Sequence, residues 1–189
     1  LGQENINRSV RALVIGFVLV LGFMILYYGG AGIVSIIALF LNLFFIFGAL
    51  ASLNAVLTLP GVAGVILTIG MAVDANVIIF ERIREELREG KSVRAAVTDG
   101  FKNSYSAIID ANVTTLLTGI ILYSFGTGPI RGFATTLIIG ILTSLFTAIF
   151  ITRLVMEWRL DGKHRVKFAS KMTEGWFRNV NIDFLGKRK

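Results

Sequence analysis

Residues 61–80 read GVAGVILTIGMAVDANVIIF, a run of 20 residues in which Asp74 is the one charged side chain. About 20 apolar residues are what an α-helix needs to cross the ~30 Å hydrocarbon layer of a bilayer. Within that layer every backbone polar group must be hydrogen-bonded internally, and a helix does this within a single segment. The stretch therefore predicts a transmembrane helix with a carboxylic acid in its interior.

The rest of the chain repeats this pattern. It has 189 residues, of which 54% are hydrophobic, and a mean hydropathy of +0.74, which places it outside the class of soluble globular domains. We predict an all-α fold: a polytopic membrane helix bundle forming one transmembrane domain over residues 1–189. The five predicted spans are 11–29, 31–53, 60–80, 105–125 and 131–156, with a connector at 81–104 and a basic tail at 157–189.

The net charge of +7 is distributed by side of the membrane. If the spans alternate in direction, the connector, the tail and Arg153 near the end of the fifth span share one side and hold 16 of the 19 basic residues, leaving Arg8, Arg11 and Arg131 opposite. The positive-inside rule then makes the connector and the C-terminus cytosolic and places the N-terminus of this chain outside. Because no signal-peptide pattern opens the sequence, we expect it to be part of a longer protein with a further span upstream.

Short connections are predicted between most spans. Residues 27–32 and 126–129 are glycine-rich and predict tight turns, and Pro60 suits the first turn of a helix. In the connector, opposite charges at helical spacing predict that the third span continues as a solvated helix as far as Gly90; the pairs are Glu81–Arg84, Arg82–Glu86 and Glu85–Arg88. After that break, Ser92 can cap a short, separate amphipathic helix that lies along the membrane surface or docks a partner.

The tetrapeptide Asp-Ala-Asn-Val occurs at 74–77 and again at 110–113, each time within an apolar run. A carboxylate in hydrocarbon costs about 2.5–3.5 kcal/mol on insertion scales, so a buried acid is first a functional hypothesis. Both acids lie roughly 10–12 Å from the connector edge of their helices, so a hairpin can bring them to one layer. Asp74 has the drier surroundings and is predicted to be the main proton-coupling group, with Asp110 in support. The alternative is that either acid stays neutral and only joins helices.

Polar and small residues near the two acids have simpler predicted roles. Asn103, Ser106, Asp110, Thr114 and Thr118 form a polar stripe on the fourth span. Gly70 allows a neighbouring helix to approach closely, while Asn76 and Asn112 are predicted to form interhelical hydrogen bonds. Thr114 and Thr118 are assigned to helix packing or hydrogen bonding, and Arg131 is predicted to anchor at the membrane interface.

Other function classes receive little support from the sequence. The absence of cysteine removes thiolate catalysis and cysteine metal sites, and His164 lacks partners at metal-ligand spacing. We predict no metal site, no cofactor and no enzymatic activity; an Na⁺ site and an intramembrane aspartyl protease are weaker alternatives. A nucleic-acid partner is not expected, because basic residues are not interleaved with an aromatic platform. Aromatic and basic residues in the tail instead indicate contact with membrane lipids.

Three motifs in order carry a resemblance to a known family. They are GMAVDANVIIFERIREE at 70–86, DANVTT at 110–115 and GTGPIRGFA at 126–134. Together they strongly resemble bacterial SecD, the protein-export membrane subunits of the RND superfamily, over nearly the whole chain. The end of the sequence, from Trp176 onward, resembles the start of SecF, which suggests a SecD–SecF fusion.

The resemblance implies a specific function. The bundle would be one half of a pseudo-symmetric RND-type pair, located in the bacterial inner membrane beside the SecYEG channel. It would use the proton-motive force to assist translocation of unfolded preproteins, with SecF as partner and Asp74 at the family's proton-coupling position. Two alternatives remain open: an RND-type exporter of lipids or small hydrophobic molecules, and a scaffold that docks the channel with structural acids.

Overall fold

A computed structural model describes residues 2–55, 57–161 and Phe168; for residues 2–10, 12 and 13 it describes the backbone alone. Over these residues the chain is helical and contains no β-strand. The helices are α1 (Gly2–Tyr28), α2 (Gly30–Ser52), α3 (Leu59–Arg88), α4 (Val93–Phe125), α5 (Pro129–Phe146), a π-helical segment (Thr147–Ile151) and α6 (Thr152–Asp161). The predicted all-α membrane bundle is confirmed.

Within the described ranges, four helical rods are long and apolar enough to cross a membrane. They are α2, α3, α4 and the continuous rod Pro129–Asp161 that comprises α5, the π-helical segment and α6. In α1 the apolar stretch whose side chains the structure describes is Val14–Tyr28, which is shorter than these four. Because α3 has 30 residues, about 45 Å at 1.5 Å per residue, it is longer than the hydrocarbon layer is thick. Its last turns therefore extend beyond the layer.

The turns between the helices lie at two ends of the bundle, called here the charged end and the opposite end. The charged end contains the α1–α2 turn, the α3–α4 turn and the last turns of α6, and the opposite end contains residues 53–55, 57, 58 and 126–128. Gly29 joins α1 to α2 with φ 55°, a left-handed conformation that glycine adopts without a Cβ clash. Thr58 caps α3 by accepting a hydrogen bond from the Gly61 amide, with Pro60 in the first turn as predicted.

The prediction of a short, separate helix in the connector was wrong. Ser92 does cap a helix, accepting a hydrogen bond from the Ala95 amide, but that helix is α4 itself and runs without a break to Phe125. Gly100 does not interrupt it, because this glycine is buried where α4 crosses α3 and a Cβ there would meet the backbone of Ile83 at 3.0 Å. Val97 and Phe101 are accordingly buried against the core rather than lying on a membrane surface.

The contact between the parallel helices α3 and α5 is built from glycine and threonine in both directions. A Cβ on Gly64 would clash with the Thr136 hydroxyl of α5, and a Cβ on Gly140 would clash with the Thr68 side chain of α3. Thr68 and Thr136 are themselves buried and bond to carbonyls of their own helices. Small residues of this kind let helix backbones approach closely, which is the main source of packing energy between helices in lipid. This contact holds α3 firmly on one side.

Candidate membrane-embedded acid site

Asp74 lies on the side of α3 that no described helix covers. Gly70, one turn earlier on the same face, has open space where a Cβ would be, and Leu67, a further turn back, is 46% exposed. Asp74 is likewise exposed and has no hydrogen-bond or ion-pair partner among the described residues. The neighbours of Asp74 along α3 are apolar, as the sequence predicts. The described part of the chain, however, leaves this face open and does not enclose the acid.

Asp110 lies on an equally open face of α4. Its carboxylate accepts a hydrogen bond from the Ser106 hydroxyl at 3.2 Å, one turn back along the same helix. The polar stripe continues as a series of hydroxyl groups bonded to the preceding turn, from Thr114 to the Asp110 carbonyl and from Thr118 to the Thr114 carbonyl. These bonds stay within α4, so Thr114 and Thr118 present polar atoms on the surface without tying α4 to another described helix.

The register of α3 against α4 places the two acids at one level. Gly100 lies against Ile83 where the antiparallel helices cross. Nine residues back from Ile83 is Asp74, and nine residues forward from Gly100 is Ile109, the neighbour of Asp110. No hydrogen bond links the two carboxylates. They share a layer, and each lies on a surface that the described residues leave free.

The predicted packing residues behave differently from one another. Asn76 is buried and accepts a hydrogen bond from the Thr152 hydroxyl at 2.9 Å, which joins α3 to α6. Asn112 does not join helices, because its amide donates to the Ile108 carbonyl of its own helix at 2.7 Å. No described helix approaches Gly70. The difference follows from position, since Asn76 points into the α3–α5–α6 contact whereas Asn112 lies on the sparsely covered helix α4.

Arg131 lies at the opposite end of the bundle. Its guanidinium group stacks over the Tyr123 ring at 4.4 Å from the centroid and donates to the Tyr123 hydroxyl at 3.1 Å. The pair joins the last turns of α4 to the start of α5. A cation over an aromatic ring at a helix end is typical of the membrane–water interface, where the predicted anchoring role would operate.

A network of ion pairs covers the charged end. Glu81 binds Arg84 at 2.8 Å and Arg82 lies 3.7 Å from Glu86, as the spacing predicts. Glu85, however, pairs with Arg82 at 2.5 Å instead of the predicted Arg88.

Glu86 is the centre of this network. Its side chain is 5% exposed and accepts hydrogen bonds from Lys91 and, at 2.8 Å, from the Asn103 amide of α4. The hydrogen bond from Lys91 is the main reason that the pKa of Glu86 falls below its ordinary value, and the bond from Asn103 adds to it. Lys91 also binds Asp99 at 2.7 Å, and these two carboxylates raise the pKa of the Lys91 ammonium group. The α3–α4 hairpin is therefore closed by charge-assisted hydrogen bonds.

Asn42 of α2 is not among the residues that the sequence singled out. This residue is completely buried, and neither its amide nitrogen nor its amide oxygen has a hydrogen-bond partner among the described residues. A signal was present, because Asn42 is the one amide side chain in the apolar run 31–53. Thr152 was missed for a different reason: its partner Asn76 is 76 positions away, and no local pattern connects the two.

Comparisons with known proteins agree with this arrangement. The family described as "Protein export membrane protein SecD/SecF, C-terminal" matches residues 1–161. The protein translocase subunit SecD of Rhodothermus marinus is 56% identical over 158 residues, covering 84% of this chain and 25% of that protein. The SecD of Magnetococcus marinus is 55% identical over 156 residues, covering 82% of this chain and 30% of that protein. The chain thus spans about a quarter to a third of the length of these relatives.

Solved structures give the same result. The crystal structure of SecDF from Thermus thermophilus, described as a translocon-associated membrane protein, matches with a TM-score of 0.83 and 42% identity, covering 88% of this chain and 23% of that one. A crystal structure of SecDF in a super-membrane-facing form matches with a TM-score of 0.81 and 41% identity, covering 86% and 22%. The segment that resembles SecF, and His164, lie outside the described residues. By family match, sequence identity and fold, the chain belongs to the SecD/SecF family of protein-export membrane proteins.

Proposed function

We propose that this chain is the transmembrane part of a SecD-type subunit that uses the proton-motive force to help move unfolded preproteins through SecYEG. Asp74 is the proton-coupling group and Asp110 supports it. The observation that carries the proposal is the placement of Asp74: an unpaired carboxylate on an open helix face, level with a second acid, in a bundle of an export family. A charged side chain inside the membrane costs free energy, and acids found there are usually functional.

Coupling requires that the two protonation states of Asp74 favour different helix arrangements. A neutral carboxyl group tolerates an apolar neighbour, whereas an ionised one requires water, a cation or hydrogen-bond donors. The open faces of α3 and α4 leave room for a partner surface, which we assign to a SecF-type half, fused or separate. Movement of that half against this one, once per protonation cycle, would drive the parts of the protein outside the membrane.

The proposal includes an orientation and a location. The charged end faces the cytosol of a bacterium and the opposite end faces the periplasm, because the positive-inside rule favours this arrangement of the basic residues. The protein lies in the inner membrane, in contact with its lipids, and transports its substrate without covalent chemistry. The SecDF of Thermus thermophilus is a translocon-associated membrane protein, and its likeness to this chain supports the same partner here.

Replacement of Asp74 by Asn in the full-length protein tests the coupling role. We expect export driven by the proton-motive force to be lost in inverted membrane vesicles while export driven by ATP alone continues, because Asn cannot ionise. Asp74→Glu keeps an ionisable group and should retain part of the activity, and Asp110→Asn should reduce it less than Asp74→Asn. Normal proton-dependent export by the Asp74→Asn variant would remove Asp74 from the mechanism.

Two other functions make different predictions. A scaffold would support export with Asp74→Asn as long as the complex assembles, which co-purification with the channel measures. An exporter of lipids would use the apolar crevice of about 300 Å³ between α1, α2 and α3, whose lining includes Phe17, Phe47 and Ile66. Neither Asp74 nor Asp110 lines this crevice. If the protein exports lipids, filling this crevice with a larger aromatic side chain should abolish activity. If it has the proposed function, the same substitution should leave protein export unchanged.

A further inference from the structure

The rod that comprises α5 and α6 is interrupted by the π-helical segment Thr147–Ile151. In a π-helix the hydrogen bonds join residues five apart, whereas in an α-helix they join residues four apart. Three buried hydroxyl groups around this segment bind backbone carbonyls of the rod; they belong to Ser144, Thr147 and Thr152. Segments of this kind bend helices and are frequent at functional sites. The π-helical segment is therefore a point at which the rod can change its direction.

One side-chain hydrogen bond attaches the end of this segment to α3. The Thr152 hydroxyl donates to the side-chain oxygen of Asn76 at 2.9 Å and also lies 3.1 Å from the Thr147 carbonyl. Both Thr152 and Asn76 are buried, so the bond lies away from solvent. An α-helix turns by about 100° per residue, so if the same residues formed a regular α-helix, Thr152 would be rotated away from Asn76. The bond therefore favours the π-helical form of the rod.

Asn76 and Asp74 lie on opposite sides of α3. Two residues correspond to about 200° around a helix, so Asp74 is on the open face and Asn76 is on the packed face. Nearer the opposite end, α3 cannot slide freely along α5, because Thr68 interlocks with Gly140. A rotation or tilt of α3 that begins at Asp74 would therefore move Asn76 against Thr152. The part of the rod that can follow is the part beyond the π-helical segment.

Helix α6 extends from this segment to the charged end and contacts two other elements there. Arg159 donates a hydrogen bond to the Gly30 carbonyl at the start of α2, at 3.3 Å. Asp161 forms an ion pair with Arg94 in the first turn of α4. A change in the direction of α6 would therefore reach both the α1–α2 turn and the beginning of α4.

We propose that Asn76 is a positioning residue that holds the π-helical segment, and that this segment transmits a change at Asp74 to α6. Asn76 then does more than join two helices, because it fixes which residue of the rod faces α3. The consequence for export rests on the proposed function, in which Asp74 changes its protonation state. The structural link does not rest on it, because the shape of the rod can be measured without export.

Spin labels on the two sides of the π-helical segment test the link. Leu142 and Trp158 are exposed residues of the rod, 16 positions apart, or about 24 Å along a helix. Both are replaced by Cys in the full-length protein in lipid nanodiscs, with any other cysteine replaced by Ser. We expect Asp74→Asn, which mimics the protonated acid, to change the distance between the labels by about 2 Å or more. Thr152→Val removes the hydroxyl group with little change in shape, and should abolish this change.

Two controls separate the link from a general loss of packing. Thr68→Val also removes a buried threonine hydroxyl, but one that binds carbonyls of its own helix, and it should leave the distance change intact. Labels at Lys102 and Leu117, two exposed positions of the continuous helix α4, should show no change with Asp74→Asn. A constant distance across the π-helical segment, or the same change with Thr152→Val, would overturn the proposal.

Deletion of Phe150, an exposed residue of the segment, tests the π-helical form itself. With one residue fewer, a regular α-helix can keep Thr152 opposite Asn76. We expect this variant to fold and to co-purify with the channel but to lose the distance change and most proton-driven export. Thr152→Val should also reduce proton-driven export, and Thr152→Ser, which keeps the hydroxyl group, should restore it. Normal export by the deletion variant would show that the π-helical segment is not needed and would overturn its role.

The outcome is separable from that of the proposed function. If the distance changes and the change requires Thr152, but Asp74→Asn still supports proton-driven export, the link exists and the coupling role of Asp74 fails. If Asp74→Asn abolishes export without any change in the distance, the coupling role stands and the link through Asn76 is wrong.

Discussion

On one side of α3, Gly64 and Thr68 interlock with Thr136 and Gly140 of α5, whereas on the other side Gly70 and Asp74 face open space. The packed side satisfies its polar groups within the bundle, through hydroxyl–carbonyl bonds and the Asn76–Thr152 hydrogen bond. The open side presents an acid without a partner among the described residues. Helix α3 is therefore fixed by one face, while its other face is left open by the described residues.

The largest expected effect comes from filling the packed face. Gly64→Leu places a side chain against the Thr136 hydroxyl and the Phe133 backbone carbonyl, which cannot both move aside. We expect the free energy of unfolding in detergent to fall by about 3 kcal/mol or more. Gly70→Leu is the matched control on the same helix, because nothing lies within 4 Å of its Cβ position. It should leave stability unchanged or raise it by up to ~0.8 kcal/mol through helix propensity. Equal losses in the two variants would contradict the comparison.

The second effect has the opposite sign and is measured on this segment in detergent. Asp74→Leu replaces an unpaired acid on an apolar face, so we expect the free energy of unfolding to rise by about 2–3 kcal/mol while proton-driven export by the full-length protein is lost. Asp110→Leu should stabilise less, because Ser106 already donates a hydrogen bond to that carboxylate. A destabilised Asp74→Leu variant would mean that Asp74 has a structural partner within the chain.

The buried side offers a further pair for comparison. Asn42 and Asn76 are both buried amides, but within the described part of the chain Asn76 is paired and Asn42 is not. Replacing Asn42 by Leu, which is similar in shape, removes an unsatisfied amide, and we expect the free energy of unfolding to rise by about 1–2 kcal/mol. Thr152→Val should lower it by about 1 kcal/mol, because the side-chain amide oxygen of Asn76 loses its donor. Loss of stability in Asn42→Leu would reveal a partner for Asn42, such as an internal water molecule.

Much of this arrangement could be predicted from local sequence. Apolar runs of span length indicated the helices, Pro60 and Ser92 indicated helix starts, and the repeated Asp-Ala-Asn-Val placed two acids at similar depth. The continuity of α4 was missed, because the apolar run of the fourth span begins near residue 105 and no local pattern shows that residues 93–104 belong to the same helix. Which face of α3 is covered was also inaccessible, since it depends on Thr136, Gly140 and Thr152, far along the chain. For the same reason the sequence predicted dry surroundings for Asp74 without showing whether this acid faces Asp110 or an open side of the bundle.

The smallest effect concerns the charged end, at the turn between α3 and α4. Hydrogen bonds from Lys91 and Asn103 hold the pKa of Glu86 below its ordinary value of 4.5. A carboxylate with a lowered pKa in the folded state contributes stability that is complete above pH 4.5 and is lost as the pH falls through the folded value. We therefore expect the unfolding temperature to decrease slightly when the pH is lowered below 4.5. This decrease should be smaller at high salt, because salt weakens exposed ion pairs. Glu86→Gln should be less stable at neutral pH and lack this part of the acid dependence. Thermal unfolding of the unchanged protein and of Glu86→Gln between pH 3.5 and pH 7 measures the difference. If the two plots of unfolding temperature against pH were parallel, Glu86 would not be the group that closes the α3–α4 hairpin, and the Lys91–Asp99 ion pair would be the remaining link.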